Sequence, residues 1–177
     1  MNNSKLKSVY FITGASGVGK TTLIASLKKK YAHKDWIFLH FDSIGVPSAE
    51  EMVEQFGSGS NWQKAMTFQW IDKILTEYRG CEYVFLEGQV NLEFIKEGFK
   101  KHGFEGYHII LIDCDEATME HRLTNERNQP ELFHQDMKNW LKFLRNQANE
   151  LNVPIINTSK LSTQEGINEF EQLVGIF

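Results

Sequence analysis

Cysteine and proline are scarce in this chain. Its 177 residues include two cysteines and three prolines. Cys81 and Cys114 stand far apart and show neither C-x-x-C nor any metal-ligand spacing, so the sequence assigns them no redox or metal chemistry. The six histidines also lack metal-binding spacing. A zinc-stabilised or disulfide-dependent function class is therefore not expected.

Long apolar runs and an excess of positive charge are also missing. The formal net charge is −4, which argues against a broad nucleic-acid surface, although a local basic patch stays open. The first apolar run, 9–12, is too short for a signal peptide or a membrane span. We therefore expect a cytoplasmic protein with no membrane or nucleic-acid partner, folded as a single domain over residues 1–177.

A phosphate-binding motif stands near the start of the chain. The pattern G-x-x-x-x-G-K-[ST] occupies Gly14–Thr21, directly after the apolar run, which is the strand-loop-helix setting that a P-loop requires. Glycines let successive backbone N–H groups converge on phosphate oxygens. Lys20 can reach the β- and γ-phosphates, and the Thr21 hydroxyl can ligate Mg²⁺. The predicted nucleotide-binding residues are Gly14, Ala15, Ser16, Gly17, Val18, Gly19, Lys20, Thr21 and Thr22.

Strand-like and helical segments alternate along the chain. This order indicates an α/β fold with a parallel sheet covered on both faces. Capping boxes at Ser48 and Ser162 predict two helix starts, and residues 57–61 are expected to break a helix before a longer one over Trp62–Tyr78. The predicted strands are Val9–Thr13, Trp36–Phe41, Tyr83–Glu87, His108–Asp113 and Val153–Asn157.

Two acidic residues follow predicted strands. Glu87 ends an apolar strand, where P-loop proteins place an acid beside Mg²⁺, and it is our candidate for holding a metal-bound water. The alternative is a strand-end carboxylate that faces solvent. Asp42 emerges at the same sheet edge and could accept the proton of an attacking hydroxyl or hold it in line. The competing interpretation is an Asx-type turn at Asp42-Ser43.

Two arginines lie five residues apart after the fourth predicted strand. Arg122 and Arg127 belong to a polar segment that Gln129-Pro130 interrupts, and we interpret residues 120–134 as a lid. Guanidinium groups that close over the phosphates would stabilise a phosphoryl-transfer transition state. The alternative is a surface ion pair with Glu126, and Arg145 is a weaker third candidate.

Two further groups have competing interpretations. Trp62 and Trp70 lie in an aromatic-rich helix that could form one wall of an acceptor pocket, but helical spacing favours a core role. Asp113 and Asp115 flank Cys114 and could act as an acid/base pair. A helix cap at Asp115 is the simpler interpretation.

The P-loop, Asp42, Leu86-Glu87-Gly88 and the Arg122…Arg127 segment occur in an order that resembles the small P-loop kinases. That group includes adenylate, shikimate and gluconate kinases and chloramphenicol phosphotransferase. The resemblance implies a three-layer fold with a five-stranded parallel sheet of order 2-3-1-4-5 and a short helical lid. It also implies an acceptor-binding region at about 43–80, and it places 157–159 near the adenine.

The resemblance and the motif together lead to a functional expectation. We expect ATP- and Mg²⁺-dependent phosphoryl transfer to a hydroxyl or phosphate of a small-molecule acceptor, with Lys20, Asp42, Arg122 and Arg127 as catalytic candidates and Thr21 and Glu87 as metal candidates. Two alternatives stay open. One is a nucleoside monophosphate kinase, and the other is a regulatory ATP-binding protein that acts on a protein partner.

Overall fold

Five strands form one sheet in the computed structural model, which describes residues 6–176. The order is β2-β3-β1-β4-β5, and every neighbouring pair is parallel. This confirms the predicted α/β fold and the strand order that the resemblance implies. Residues 1–5 of the polar N-terminal stretch, and Phe177, lie outside the described residues. The strands are β1 (Ser8–Thr13), β2 (Ile37–His40), β3 (Tyr83–Gly88), β4 (Tyr107–Asp113) and β5 (Ile155–Asn157).

Seven α-helices of the described chain flank the sheet or connect its strands. Most start where the sequence provides a side-chain cap, as at the capping boxes of Ser48 and Ser162 and at the N-caps Asn91 and Asp115. The helices are α1 (Lys20–Lys30), α2 (Ala49–Phe56), α3 (Gly59–Glu77), α4 (Leu92–Lys101), α5 (Glu116–His121), α6 (Gln135–Glu150) and α7 (Thr163–Val174).

The break between α2 and α3 is shorter than the predicted 57–61. Gly57 ends α2 in the left-handed conformation, with φ of 82°. Ser58 then accepts a hydrogen bond from the Asn61 backbone N–H, so α3 begins at Gly59 rather than at Trp62. The prediction was wrong because a good N-cap outweighs the low helix propensity of Gly59 and Ser60.

Two strands are also shorter than predicted. β2 covers Ile37–His40 because Phe41 already belongs to a 3₁₀ turn, Phe41–Ile44. β5 covers only Ile155–Asn157. β5 is shortened at its start, away from the carboxyl edge, whereas β2 is shortened at both ends, so that Asp42 lies in a 3₁₀ turn one residue beyond the start of that turn.

The sheet separates two apolar cores. Tyr10 and Ile12 of β1 pack into the core beneath α1 and α7, whereas Val9 and Phe11 pack into the core beneath α3 and α4. Alternate strand residues point to opposite faces, so one strand supplies both cores. The central strand β1 is therefore a rigid support for the loop that follows it. Within residues 6–176, no helix combines the length and hydrophobicity needed to cross a membrane.

Candidate active site

The loop after β1 has the backbone of a phosphate cradle. Gly14, Gly17 and Gly19 have φ values of 154°, 81° and 100°, which side-chain-bearing residues rarely adopt. A Cβ on Gly14 would lie 2.3 Å from the carbonyl oxygen of Ile112. Backbone angle therefore favours glycine at all three positions, and the close approach of β4 excludes a side chain at Gly14 as well.

The N-terminus of α1 differs from those of the other helices. Its N-cap residue is Gly19, which provides no side-chain hydrogen bond. The other six helices of the described chain each have a side-chain acceptor at the N-cap. The first-turn amides of α1 thus retain their hydrogen-bonding capacity and their positive dipole end, which fits a bound phosphate.

Lys20 lies folded over this cradle. Its side chain is buried, and its Nζ donates to the carbonyl oxygen of Ala15 at 2.8 Å. Burial lowers the pKa of Lys20 to about 8, although the neighbouring carboxylates Glu87 and Asp42 act in the opposite direction. A polyphosphate placed beside Nζ would supply the missing negative charge.

Glu87, Thr21 and His40 form a connected group beside the cradle. The Thr21 hydroxyl donates to Oε1 of Glu87 at 3.4 Å, and His40 Nδ1 lies 2.7 Å from the same oxygen. Glu87 is buried, so it is not the strand-end carboxylate facing solvent that the alternative interpretation describes. A hydroxyl and a carboxylate next to a phosphate cradle are the oxygen donors that fit Mg²⁺ directly or through water.

Asp42 lies at the same edge but is exposed. It sits in the 3₁₀ turn after β2, where Ser43 Oγ donates to the His40 carbonyl and the Gly45 N–H donates to the Asp42 carbonyl. These bonds use the Ser43 side chain and the Asp42 backbone rather than the Asp42 carboxylate. The carboxylate is close enough to act on the Lys20 pKa.

Arg122 is bound to the P-loop. Its Nη1 donates to the Val18 carbonyl at 3.1 Å and to the Thr158 hydroxyl at 2.9 Å, and its Nη2 donates to the Thr158 carbonyl at 2.9 Å. The Thr158 hydroxyl donates to the same Val18 carbonyl at 2.8 Å. Arg122 thus connects the loop after β1 to the loop after β5.

The arginine pair is presented by a π turn. Residues Arg122–Glu126 follow α5 with wider helical turns, and the Arg127 N–H donates to the Arg122 carbonyl at 3.0 Å. Residues joined by such a bond lie one turn apart on the same side. Arg127 is exposed, and its charge lowers the pKa of Lys20, which places it near the cradle.

Other candidates have structural contacts. Arg145 forms a bidentate ion pair with Asp113, with Nε to Oδ2 at 2.6 Å and Nη2 to Oδ1 at 3.1 Å. Asp115 caps α5, as predicted. Trp62 and Trp70 are buried in the core, and Trp70 Nε1 donates to the Phe41 carbonyl at 2.9 Å. A core role therefore accounts for both tryptophans.

A cleft beside Arg122 contains Thr22, the last of the predicted nucleotide-binding residues. It lies between the start of α1 and the loop after β5, and Thr22, Leu161 and Ser162 line it. The predicted adenine-side residues 157–159 lie next to it through Thr158. Thr22 is exposed, so its side chain is accessible from this cleft.

Sequence reasoning missed three polar residues at this edge. These residues are His40, Gln63 and Gln89. His40 Nδ1 contacts Glu87. Gln89 connects the P-loop to α3, because its Oε1 accepts from Ser16 Oγ at 3.2 Å and its carbonyl accepts from Gln63 Nε2 at 3.0 Å. Each of the three is a polar residue without a motif. Only the positions of His40 and Gln89 at strand ends signal their role.

Comparison with solved structures identifies the architecture. Shikimate kinase from Acinetobacter baumannii, solved with shikimate, has a TM-score of 0.63 and 16% identity, covering 97% of this chain and 94% of that one. A gluconokinase from Sinorhizobium meliloti has a TM-score of 0.62 and 12% identity, covering 93% and 90%. The chain has the fold of the small-molecule P-loop kinases. A sugar kinase from Janibacter sp. HTCC2649 is similar to it at a TM-score of 0.60 and 14% identity, covering 96% and 95%.

Sequence comparisons give narrower support. The family model of the KAP family P-loop domain matches residues 1–59, which include the whole phosphate-binding loop. A search among curated proteins finds no sequence match. The P-loop kinase fold is thus supported over nearly the whole chain by structure, and the P-loop itself by sequence as well.

Proposed function

We propose that the protein is an ATP- and Mg²⁺-dependent kinase that transfers the γ-phosphoryl group to a small-molecule acceptor. The observation that carries the proposal is the uncapped start of α1 with Lys20 folded over the preceding loop, beside the Thr21–Glu87 pair. A cytoplasmic location is part of the same proposal. Residues 1–177 would form one kinase-like domain.

The chain's own residues bind and orient the donor. Residues 14–22 hold the phosphates through backbone N–H groups, and Lys20 leaves the Ala15 carbonyl to donate to the β- and γ-phosphates. Thr21 and Glu87 would hold the metal. When bound, Mg²⁺ neutralises phosphate charge and polarises the transferred group. Catalysis is then mostly positioning and electrostatic stabilisation.

The acceptor would bind beyond the γ-phosphate, on the side opposite the rest of the nucleotide. Asp42 would accept the proton of an attacking hydroxyl or hold that hydroxyl in line. Residues 43–80 would cover the acceptor, and residues 120–134 would close as a lid. In this arrangement Arg127 would approach the γ-phosphate. Arg122, which is bound to the P-loop, would hold Arg127 in position.

The test is acceptor-dependent product formation. Wild-type protein with MgATP and a panel of sugars, nucleosides, nucleotides and antibiotics should give a phosphorylated product by mass spectrometry. Lys20→Ala should abolish transfer, whereas Lys29→Ala, on the same helix and exposed, should not. Circular dichroism checks that both variants fold.

Two results would redirect the proposal. Wild-type turnover in Lys20→Ala would remove the P-loop from the mechanism. ATP hydrolysis that no acceptor stimulates, together with a partner bound only in one nucleotide state, would instead favour the regulatory alternative.

A further inference from the structure

The charges of the acceptor side restrict what can bind there. We define the acceptor arm as residues 43–80, the segment between β2 and β3 that contains α2 and α3. It contains three basic residues and five acidic ones. The bases are Lys64, Lys73 and Arg79, and the acids are Glu50, Glu51, Glu54, Asp72 and Glu77.

Both lysines of the acceptor arm are engaged away from the P-loop. Lys64 Nζ lies 2.5 Å from a carboxylate oxygen of Glu97 on α4 and 5.5 Å from the centre of the Phe94 ring. Lys73 Nζ lies 5.3 Å from the centre of the Trp70 ring and 4.0 Å from Glu77. The Lys64 ammonium is therefore engaged with α4, and the Lys73 ammonium with residues of its own helix.

Arg79 lies at the far edge. Its Nε donates to the Leu75 carbonyl, and its own carbonyl accepts a hydrogen bond from the Leu6 N–H just before β1. The P-loop follows the other end of β1. The full length of the central strand therefore separates the Arg79 guanidinium from the phosphates.

The groups at the carboxyl edge beside the acceptor arm are two carboxylates, two amides and the His40 imidazole, whose Nδ1 is held on Glu87 at 2.7 Å. Asp42 and Glu87 supply carboxylates at the strand ends, and the amides of Gln63 and Gln89 connect α3 to the P-loop. The other cations at this edge are Lys20 in the cradle, Arg122 on backbone carbonyls and Arg127, which is exposed near Lys20. A triphosphate would use these cations itself.

We propose that the acceptor is a hydroxyl compound that carries no carboxylate or phosphate group. This inference rests on the proposed kinase function. An anionic acceptor would enter beside the carboxylates of Asp42 and Glu87, which repel it, and the basic residues of the described acceptor arm are engaged elsewhere or lie at the far edge. The inference separates this chain from the kinases named for shikimate and gluconate, which are both carboxylates. It also disfavours a nucleoside monophosphate as acceptor.

Matched acceptor pairs test the charge preference. Each pair shares one scaffold and differs in the anion: glucose and gluconate, adenosine and AMP, methyl shikimate and shikimate. Binding to the MgADP-loaded protein is measured by calorimetry, and transfer from MgATP is measured by product mass spectrometry. No anionic member should bind more tightly than its neutral partner, and a neutral member that serves as acceptor should exceed its anionic partner at least 10-fold in kcat/KM.

A substitution at Gln89 makes the test independent of finding the natural acceptor. Gln89→Arg places a cation between the P-loop and α3, and Gln89→Met is its uncharged control. Gln89→Arg, but not Gln89→Met, should tighten binding of AMP, gluconate or shikimate by about 10-fold, because a hydrogen-bonded ion pair then forms.

The outcomes separate the two proposals. If the protein binds no MgADP or MgATP, the kinase function fails. If it binds nucleotide but an anionic member binds more tightly than its neutral partner, or if Gln89→Arg leaves anion binding at the wild-type level, the kinase function stands and the acceptor inference is overturned.

Discussion

At the scale of single residues, His40 makes a contact that no motif predicts. Its Nδ1 lies 2.7 Å from Glu87 Oε1, the oxygen that Thr21 also contacts. In metal sites, a hydrogen bond to a ligating carboxylate tunes the orientation and basicity of that carboxylate, and under the proposed function Glu87 is such a group. We therefore expect His40 to position Glu87 rather than to touch the transferred group.

Replacing His40 tests this positioning. His40→Asn keeps an N–H donor where Nδ1 stands, so ADP should retain its Mg²⁺-dependent gain in affinity. His40→Ala should lose about 10-fold or more of that gain, because Glu87 is no longer held. His40→Gln is the matched control, since its amide reaches the position of Nε2 instead. Calorimetry with and without Mg²⁺ measures the gain.

The prediction for His40 has a clear counter-result. A purely structural role would lower the melting temperature of His40→Ala while leaving the Mg²⁺ effect on ADP binding unchanged. Equal behaviour of His40→Asn and His40→Gln would show that the Nδ1 contact has no particular importance.

At the scale of secondary-structure elements, the π turn places Arg122 and Arg127 in different environments. Arg122 forms four hydrogen bonds to carbonyl and hydroxyl groups of the P-loop and the loop after β5. Arg127, five residues later on the same side, is exposed near Lys20. Arg122 therefore supports the fold, and Arg127 is the arginine that we expect to reach a phosphate bound in the loop.

Substitutions separate the two arginines. Arg122→Ala should lower the free energy of unfolding by about 2 kcal/mol, since charge-assisted hydrogen bonds to buried carbonyls are lost. Arg127→Ala should change stability by less than about 0.5 kcal/mol but reduce kcat by about 100-fold or more. Denaturant titration and steady-state kinetics give the two numbers. An unchanged stability in Arg122→Ala, with transfer abolished, would assign Arg122 to the chemistry instead.

Much of this element level could be predicted, and the exceptions have physical reasons. The P-loop and the capping boxes at Ser48 and Ser162 are local signals, so the starts of α1, α2 and α7 follow from the sequence. The π turn could not be predicted, because tertiary contacts of Arg122 with Thr158, 36 residues away, accompany it. The same holds for the contact of Arg145 with Asp113, which no local pattern contains.

At the scale of the whole molecule, the sheet brings chain segments that are distant in sequence to one edge. The loops after β1, β2, β3, β4 and β5 supply the cradle, Asp42, Gln89, Cys114 and Thr158. Cys81 precedes β3 and therefore lies at the opposite edge. The two cysteines thus report on opposite ends of the fold.

Thiol labelling should distinguish these two ends. Cys114 is fully buried, and burial raises the pKa of its thiol to about 11, whereas Cys81 is partly exposed. A raised pKa lowers the thiolate fraction, so at pH 8 about one Cys114 thiol in a thousand is reactive even where reagent can enter. Native protein should therefore react at Cys81 and only slowly at Cys114, through opening of the site edge.

Nucleotide should make that opening rarer. If MgADP binds across the loops around Cys114, a concentration 100 times its Kd should slow Cys114 labelling by up to about 100-fold, because the open form binds no ligand. Labelling of Cys81, away from the site, should not change. Site-resolved mass spectrometry over time gives both rates from one sample. Equal slowing at both cysteines would indicate that the protein opens as a whole, and no slowing at Cys114 would place the nucleotide somewhere other than this edge of the sheet.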